Sequence, residues 1–265
     1  MSSSHYDFLE VTAGFTLKPA QAIRFFERKG LKLSFRWEDM LAEEHDAAFT
    51  VVKMMNRDLL VFVAKKTQQA IDDGKTLTEF KQQLIPALQK AGWWGKQDVV
   101  DPDTGQIVKA QLGSASRLAT IFRTNLQSAY SVGHWQSIRA NAATSPYLMY
   151  DAVEDHRVRP EHQQWDGRVY PVNHTFWTSH FPPNGWNCRC GAIQLDRKEL
   201  KAYGLKPSPE PRIKTRLWEN PRTGKSHTVP EDLDPGWDHN PGQTRFAILR
   251  QLEREKRSEG QQQKP

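Results

Sequence analysis

Residues 116–153 read SRLATIFRTNLQSAYSVGHWQSIRANAATSPYLMYDAV, and the repeat distance of their apolar side chains changes partway along. Leu118, Phe122, Leu126, Ala129 and Gly133 recur at four, four, three and four residues, the spacing that lines one face of a helix. Arg117, Arg123 and Asn125 flank that stripe, and the pattern predicts a helix from Ser116 to about Ile138. Past Asn-Ala-Ala-Thr-Ser-Pro the period drops to two. Tyr147, Met149, Asp151 and Val153 alternate with Leu148, Tyr150 and Ala152, as on the two faces of a strand. A long helix that hands over to a short alternating strand predicts an α+β fold, with a helical N-terminal half followed by a small sheet with crossing loops.

The residues upstream extend the helical reading. Pro19 is placed for the first turn of a helix that Gly30 ends. Leu41, Ala48, Val52, Met55, Leu59 and Phe62 form one apolar stripe, which predicts a single helix from about Trp37 to Asp72, stopped by Gly74. Thr76 and Glu79 have the spacing of a capping box at the head of the next helix, which Pro86 should kink and Gly92 should end. The turn-rich Asp-Pro-Asp-Thr-Gly-Gln at 101–106 marks a subdomain boundary. Downstream, Pro160 opens a short helical turn that Gly167 closes, and Arg168 to Val172 reads as a second short strand. Beyond Leu200 proline and charge dominate, and the tail from Glu253 reads as a frayed helix or disorder. These breaks divide the chain into residues 1–100, a helical region; 101–200, which holds a His/Cys cluster; and 201–265, a basic, proline-rich extension. No internal repeat stands out.

Composition narrows the classes. At 37% hydrophobic and 26% charged the chain is polar, yet it carries nine Trp and twelve Phe, which predicts a few aromatic-rich cores rather than one uniform interior. The N-terminus lacks a cationic start and an apolar stretch of signal-peptide type, and the longest apolar run, Leu59 to Ala64, is far shorter than the roughly 20 residues of a membrane helix. The expectation is a soluble protein made inside the cell, with no membrane segment. The formal net charge is +6, and the stretch from Arg197 to Lys225 alone holds nine Lys or Arg against three Glu. Lys214, Arg216 and Arg222 in that stretch are candidate contacts to nucleic acid or to an acidic protein surface; an ordinary solvated loop is the alternative.

The chemistry gathers around the two cysteines, in Phe-Pro-Pro-Asn-Gly-Trp-Asn-Cys-Arg-Cys-Gly at 181–191. Cysteines separated by one residue do not easily bridge each other, because the small ring strains a disulfide. Thiolates with imidazole are a donor set that zinc favours, although a zinc knuckle spaces its cysteines by two to four residues. The candidate structural zinc site is His162, Cys188 and Cys190, with a fourth ligand from Asp155, His156 or His180. Alternatively the cysteines are reduced and packed as small hydrophobes, or one is an oxidisable regulatory thiol. Arg189, between the thiols, would offset their charge or bond to Asp155, and Asp155 with Arg157 and Arg159 also fits a surface ion-pair cluster. A zinc-dependent hydrolase with Glu154 or Glu161 as base is a second class. No H-E-x-x-H, P-loop, G-x-S-x-G or dinucleotide fingerprint accompanies it.

Asp155, Arg157, His162, Gly167, Pro182, Pro183, Cys188, Arg189 and Cys190, taken in order, resemble the phage head morphogenesis domain named after the Mu F protein and related to the minor head protein of phage SPP1. The helix with Arg123, Thr124 and Asn125, the segment from Lys18 to Gly30 and Gly-Trp-Asp-His-Asn-Pro-Gly at 236–242 also resemble the family, so the likeness covers most of residues 18–242. In many relatives a Cys stands in place of His162 and a His in place of Gly185, an exchange a metal site tolerates. The resemblance implies a non-enzymatic minor structural protein of a tailed-phage or prophage head, acting in head morphogenesis and in DNA packaging or delivery near the portal. It implies the portal protein, other head proteins and phage DNA as partners, and the virion, after assembly in the host cytoplasm, as location. Some longer relatives carry a toxin or nuclease module after this domain; the expectation here is none.

Overall fold

The computed structural model describes residues 20–244. Pro19 and the tail from Glu253 therefore lie outside the described residues. Helix α1 (Ala20–Glu27) is followed by strand β1 (Gly30–Leu31), a 3-10 turn (Trp37–Asp39), helix α2 (Glu43–Ala47) and strand β2 (Ala48–Phe49). Strands β1 and β2 pair in parallel, so Gly30 opens a strand instead of capping α1. Helices α3 (Arg57–Asp73) and α4 (Leu77–Lys90) complete the first helical layer.

The single helix expected from Trp37 to Asp72 is thus broken into four pieces. The run Thr50-Val51-Val52 is β-branched, which disfavours helix. Asn56 then starts α3 as a cap, its Oδ1 accepting from the Leu59 amide at 2.9 Å. The stop at Gly74 and the capping box at Thr76 fall as read. Gly74 ends α3 in the left-handed region at φ 64°, and Thr76 and Glu79 form the reciprocal capping box of α4. Helix α4 runs through Pro86 and ends ahead of Gly92.

Strands β3 (Lys96–Val100) and β4 (Ile107–Gln111) form a hairpin whose tip is Asp101-Pro-Asp-Thr-Gly105. The turn-rich stretch at 101–106 thus forms the tip of this hairpin. Helix α5 (Ala115–Asn141) follows, capped by Ser114, and leads to a three-stranded antiparallel sheet in the order β6-β5-β7. Its strands are β5 (Tyr147–Asp151), β6 (Val169–Pro171) and β7 (Gly191–Leu195), with short helices α6 (Pro160–Gln163) and α7 (Phe176–Ser179) in the crossing loops. Helix α8 (Arg197–Ala202) precedes a second hairpin, β8 (Thr215–Glu219) and β9 (Ser226–Pro230), in the stretch where proline and charge dominate.

The two hairpin tips share one construction: Asp-Pro-Asp-Thr-Gly at 101–105 and Asn-Pro-Arg-Thr-Gly at 220–224. Asp101 Oδ1 accepts from the Asp103 amide at 3.0 Å, and Asn220 Oδ1 accepts from the Arg222 amide at 2.9 Å. Gly105 and Gly224, both at φ 68°, donate back to the carbonyls of Asp101 and Asn220. Both anchors grip the same N-terminal turn. Asp101 pairs with Arg36 at 2.8 Å, and Asn220 Nδ2 donates to the Glu38 carbonyl at 3.2 Å. Arg222 then ties the tips together through ion pairs to Asp103 and Asp39.

Apolar burial is divided between two main cores, as the aromatic content implied. The first joins α1, α3, α4 and most of α5 through Phe25, Phe26, Leu60, Leu84, Leu118 and Phe122. The second takes Trp135 and Ile138 from the end of α5 and packs them on Tyr150, Phe176, Trp177 and Phe181. Gly242 closes this second core. A Cβ at that position would sit 2.5–2.6 Å from Trp135 side-chain atoms. Gly242→Ala is expected to destabilise the protein by about 1–3 kcal/mol through overpacking. Gly30→Ala, where the nearest atom to a new Cβ is 3.8 Å away, should be near neutral. Denaturant melts of the two variants check the contrast.

Candidate metal centre

Two separate segments bring His162, Cys188 and Cys190 together. Pro160 opens α6 and places His162 in its single turn, while Cys188 and Cys190 lie on the approach to β7. One ligating atom from each side chain falls in a group whose members all lie within 4.8 Å of one another. His162 Nδ1 is 3.7 Å from Cys188 Sγ and 3.8 Å from Cys190 Sγ. A tetrahedral zinc site with ordinary bond lengths has N–S edges of about 3.6 Å and S–S edges of about 3.8 Å. The donor set and its spacing therefore fit zinc. His162 is 2% exposed, and its Nε2 has no hydrogen-bond partner among the described residues.

Both cysteines are free thiols. Two thiolates this close repel, so the pair keeps a proton between them. The Cys188 thiol, hydrogen-bonded to Cys190 and buried, is pushed well above its ordinary value. Cys190, which receives that hydrogen bond and faces His162 and Tyr150, is pushed down. A cation seated on both sulfurs would displace this proton.

The fourth ligands proposed from sequence lie elsewhere. Asp155 accepts two hydrogen bonds from Arg189, at 2.6 and 2.7 Å, and one from the Arg157 amide at 2.9 Å. The Arg189 pairing holds its carboxyl well below the usual carboxylate range. It serves the arginines, and the position of Arg189 between the cysteines is explained by this bidentate bond. His180 is bound by Ser179 and by Asp232, 3.3 Å from its Nε2, and His156 is exposed. A side chain at Gly185 would run into the Arg159 guanidinium and the Asp234 carboxylate. Among the described residues the group thus has three members.

Asp232 and Asp234 were missed in the sequence, although they sit in the acidic run just ahead of Gly236. Asp234 accepts from Arg159 at 2.9 Å and from the Trp186 amide at 3.0 Å, and Arg159 also donates to the Trp186 carbonyl at 3.0 Å. Asp232 accepts from Trp165 Nε1 at 2.5 Å. Pro182 and Pro183, joined by a cis peptide bond, bring the loop under α5, where Ser131 Oγ donates to the Pro182 carbonyl at 2.6 Å. Gly167, at φ 68°, lets the chain turn into β6.

The basic candidates are dispersed. Arg222 is held by Asp39 and Asp103. Lys214 and Arg216 are exposed, but Arg216 shares its face of the β8–β9 hairpin with Trp218, which packs on Trp37 at 5.9 Å. The opposite face carries Thr215, Leu217 and Glu219, with no cation.

The family described as Phage Mu protein F like protein matches residues 62–193. That interval contains Arg123, Asp155 and the His–Cys–Cys group, whereas Asp232, Asp234 and Gly242 lie beyond it. A protein F of Escherichia phage Mu, named for capsid assembly, is 36% identical over 89% of this chain and 58% of its own length. The Mu-like prophage FluMu F protein of Haemophilus influenzae is 32% identical over 88% of this chain and 59% of its own length. The chain therefore spans a little under three fifths of the curated relatives it matches. No solved structure matches it.

Asp234→Ala should release Arg159 and the Trp186 amide together. Limited proteolysis is expected to cut faster within residues 183–190 while α3 and α4 keep their resistance.

Proposed function

Over residues 62–193 this chain belongs to the Phage Mu protein F like family, and from that premise we propose that it is a minor structural protein of a tailed-phage or prophage head, acting in head morphogenesis. The observation that carries this reading is the 36% identity to the phage Mu protein named for capsid assembly, sustained over 89% of the chain. Within that role its partners are the portal protein and other head proteins, it contributes to DNA packaging or delivery, and it resides in the virion near the portal. No helix among the described residues is long and apolar enough to cross a membrane. Deleting its gene from the phage or prophage is expected to leave defective or empty, non-infectious heads. A normal infectious titre from the deletion would remove the proposal.

Zinc at His162, Cys188 and Cys190 belongs to the same reading as a structural element. It would tie α6 to the loop ahead of β7, where a metal link would contribute folding energy directly. With three members among the described residues, the group would leave one coordination position for a water or an incoming ligand, the feature that favours a zinc hydrolase or nuclease as second reading. Elemental analysis of reduced, folded protein should find close to one equivalent of zinc. Cys188→Ser should lose the metal and raise protease sensitivity across residues 155–191, while the first core stays intact. Zinc-dependent cleavage of DNA that vanishes in the same variant would favour the second reading.

A further inference from the structure

We propose that the cleft above His162, Cys188 and Cys190 binds phosphate groups, with Arg123 as the cation that meets them. The cleft has a volume of about 340 Å³, within the roughly 300–1,000 Å³ of small-ligand sites. Its floor is the His–Cys–Cys group, and Arg123, Arg157, Arg159 and Arg189 line its walls, with no acidic side chain among the lining residues. Among the described residues two carboxylates pair with these four guanidinium groups. Asp155 serves Arg157 and Arg189, and Asp234 serves Arg159. Arg123, exposed on α5, makes no hydrogen bond or ion pair among the described residues, so the walls keep an excess of positive charge.

That excess faces the buried His–Cys–Cys group. His162 is nearly fully buried, and its Nε2 is a polar group that nothing among the described residues satisfies. Guanidinium groups are planar, permanently charged donors whose geometry matches phosphate oxygens in pairs. Asp155 and Asp234 fix three of the four, so the walls are ordered before a ligand arrives and little side-chain entropy remains to be lost. A zinc ion with two thiolates on the floor would be electrically neutral, leaving the arginine charge uncompensated; the arginine excess itself does not require the metal. The proposal stands apart from the role in head assembly, because it rests only on these side chains. Two sources of the chemistry are available, a free phosphate compound and the backbone of a nucleic acid.

Isothermal titration of the full chain with inorganic phosphate, with pyrophosphate and with a short single-stranded oligonucleotide tests this. At least one probe should bind saturably. Arg123→Gln should weaken that binding by about tenfold or more, the scale of one charge-assisted hydrogen bond, with an unchanged melting temperature. Arg157→Gln should weaken it as well, and Lys214→Gln, outside the cleft, should not. Binding of the oligonucleotide with a salt slope that Arg123→Gln reduces identifies the nucleic-acid backbone as the source. Binding of pyrophosphate alone identifies a free phosphate compound. No saturable binding of any probe, or equal affinity in wild type and both arginine variants, overturns the proposal.

Discussion

Helix α5 is the member that the rest of the molecule hangs on, because it must satisfy two cores at once. Its 27 residues span about 40 Å. Leu118, Phe122, Ala129 and Val132 are buried in the first core, and Trp135 and Ile138 in the second. Its sequence is rich in Ser, Thr and Asn and contains Gly133, a composition with weak intrinsic preference for helix. Tertiary packing therefore supplies much of its stability. Both ends are also pinned by polar contacts. Arg117 donates to the carbonyls of Val52, Gln111 and Leu112 near the start, and Gln194 reaches back from β7 to the Ile138 carbonyl near the end. A change on one side of α5 is thus felt on the other.

The second core is mostly aromatic, and the loops around it are held by charge. Arg159 with Asp234 and Arg189 with Asp155 each join segments distant in sequence. Both pairs are partly exposed, and isolated pairs of that kind contribute little to stability. Their effect is geometric: they set where His162, Cys188 and Cys190 stand. Asp155 illustrates the competition involved, since a carboxylate held by two hydrogen bonds from one guanidinium has little left to offer a metal.

Much of this was legible in the residues. The period of α5, the alternation of β5 and the capping box at Thr76 are local signals, and local signals survive into the structure. The His–Cys–Cys grouping was legible because its chemistry is so restricted. The stripe from Leu41 to Phe62 misled because helical spacing cannot reveal that Phe49 pairs in a strand beside Leu31, or that Asn56 restarts the helix. The second hairpin was hidden by its charge and proline, although its Asn-Pro-Arg-Thr-Gly tip repeats the chemistry of the first. Asp232 and Asp234 are a different case. Their partners lie up to 75 residues away, and no spacing rule reports a contact of that range.

The order in which the chain is made bears on the second core. The first core is complete once residues 22–132 are available. The second waits for Asp232, Asp234, Asn240 and Gly242, which reach back to Trp165, Arg159, the Trp177 carbonyl and Trp135. At roughly 5–20 residues per second, the hundred or so residues between the two events take about 5–20 s to emerge from the ribosome. In the later part of that interval the nascent chain shows solvent a set of large aromatic rings, His162 and two thiols. A chaperone, a cellular metal pool or a neighbouring nascent chain meets those groups before the rest of the protein does.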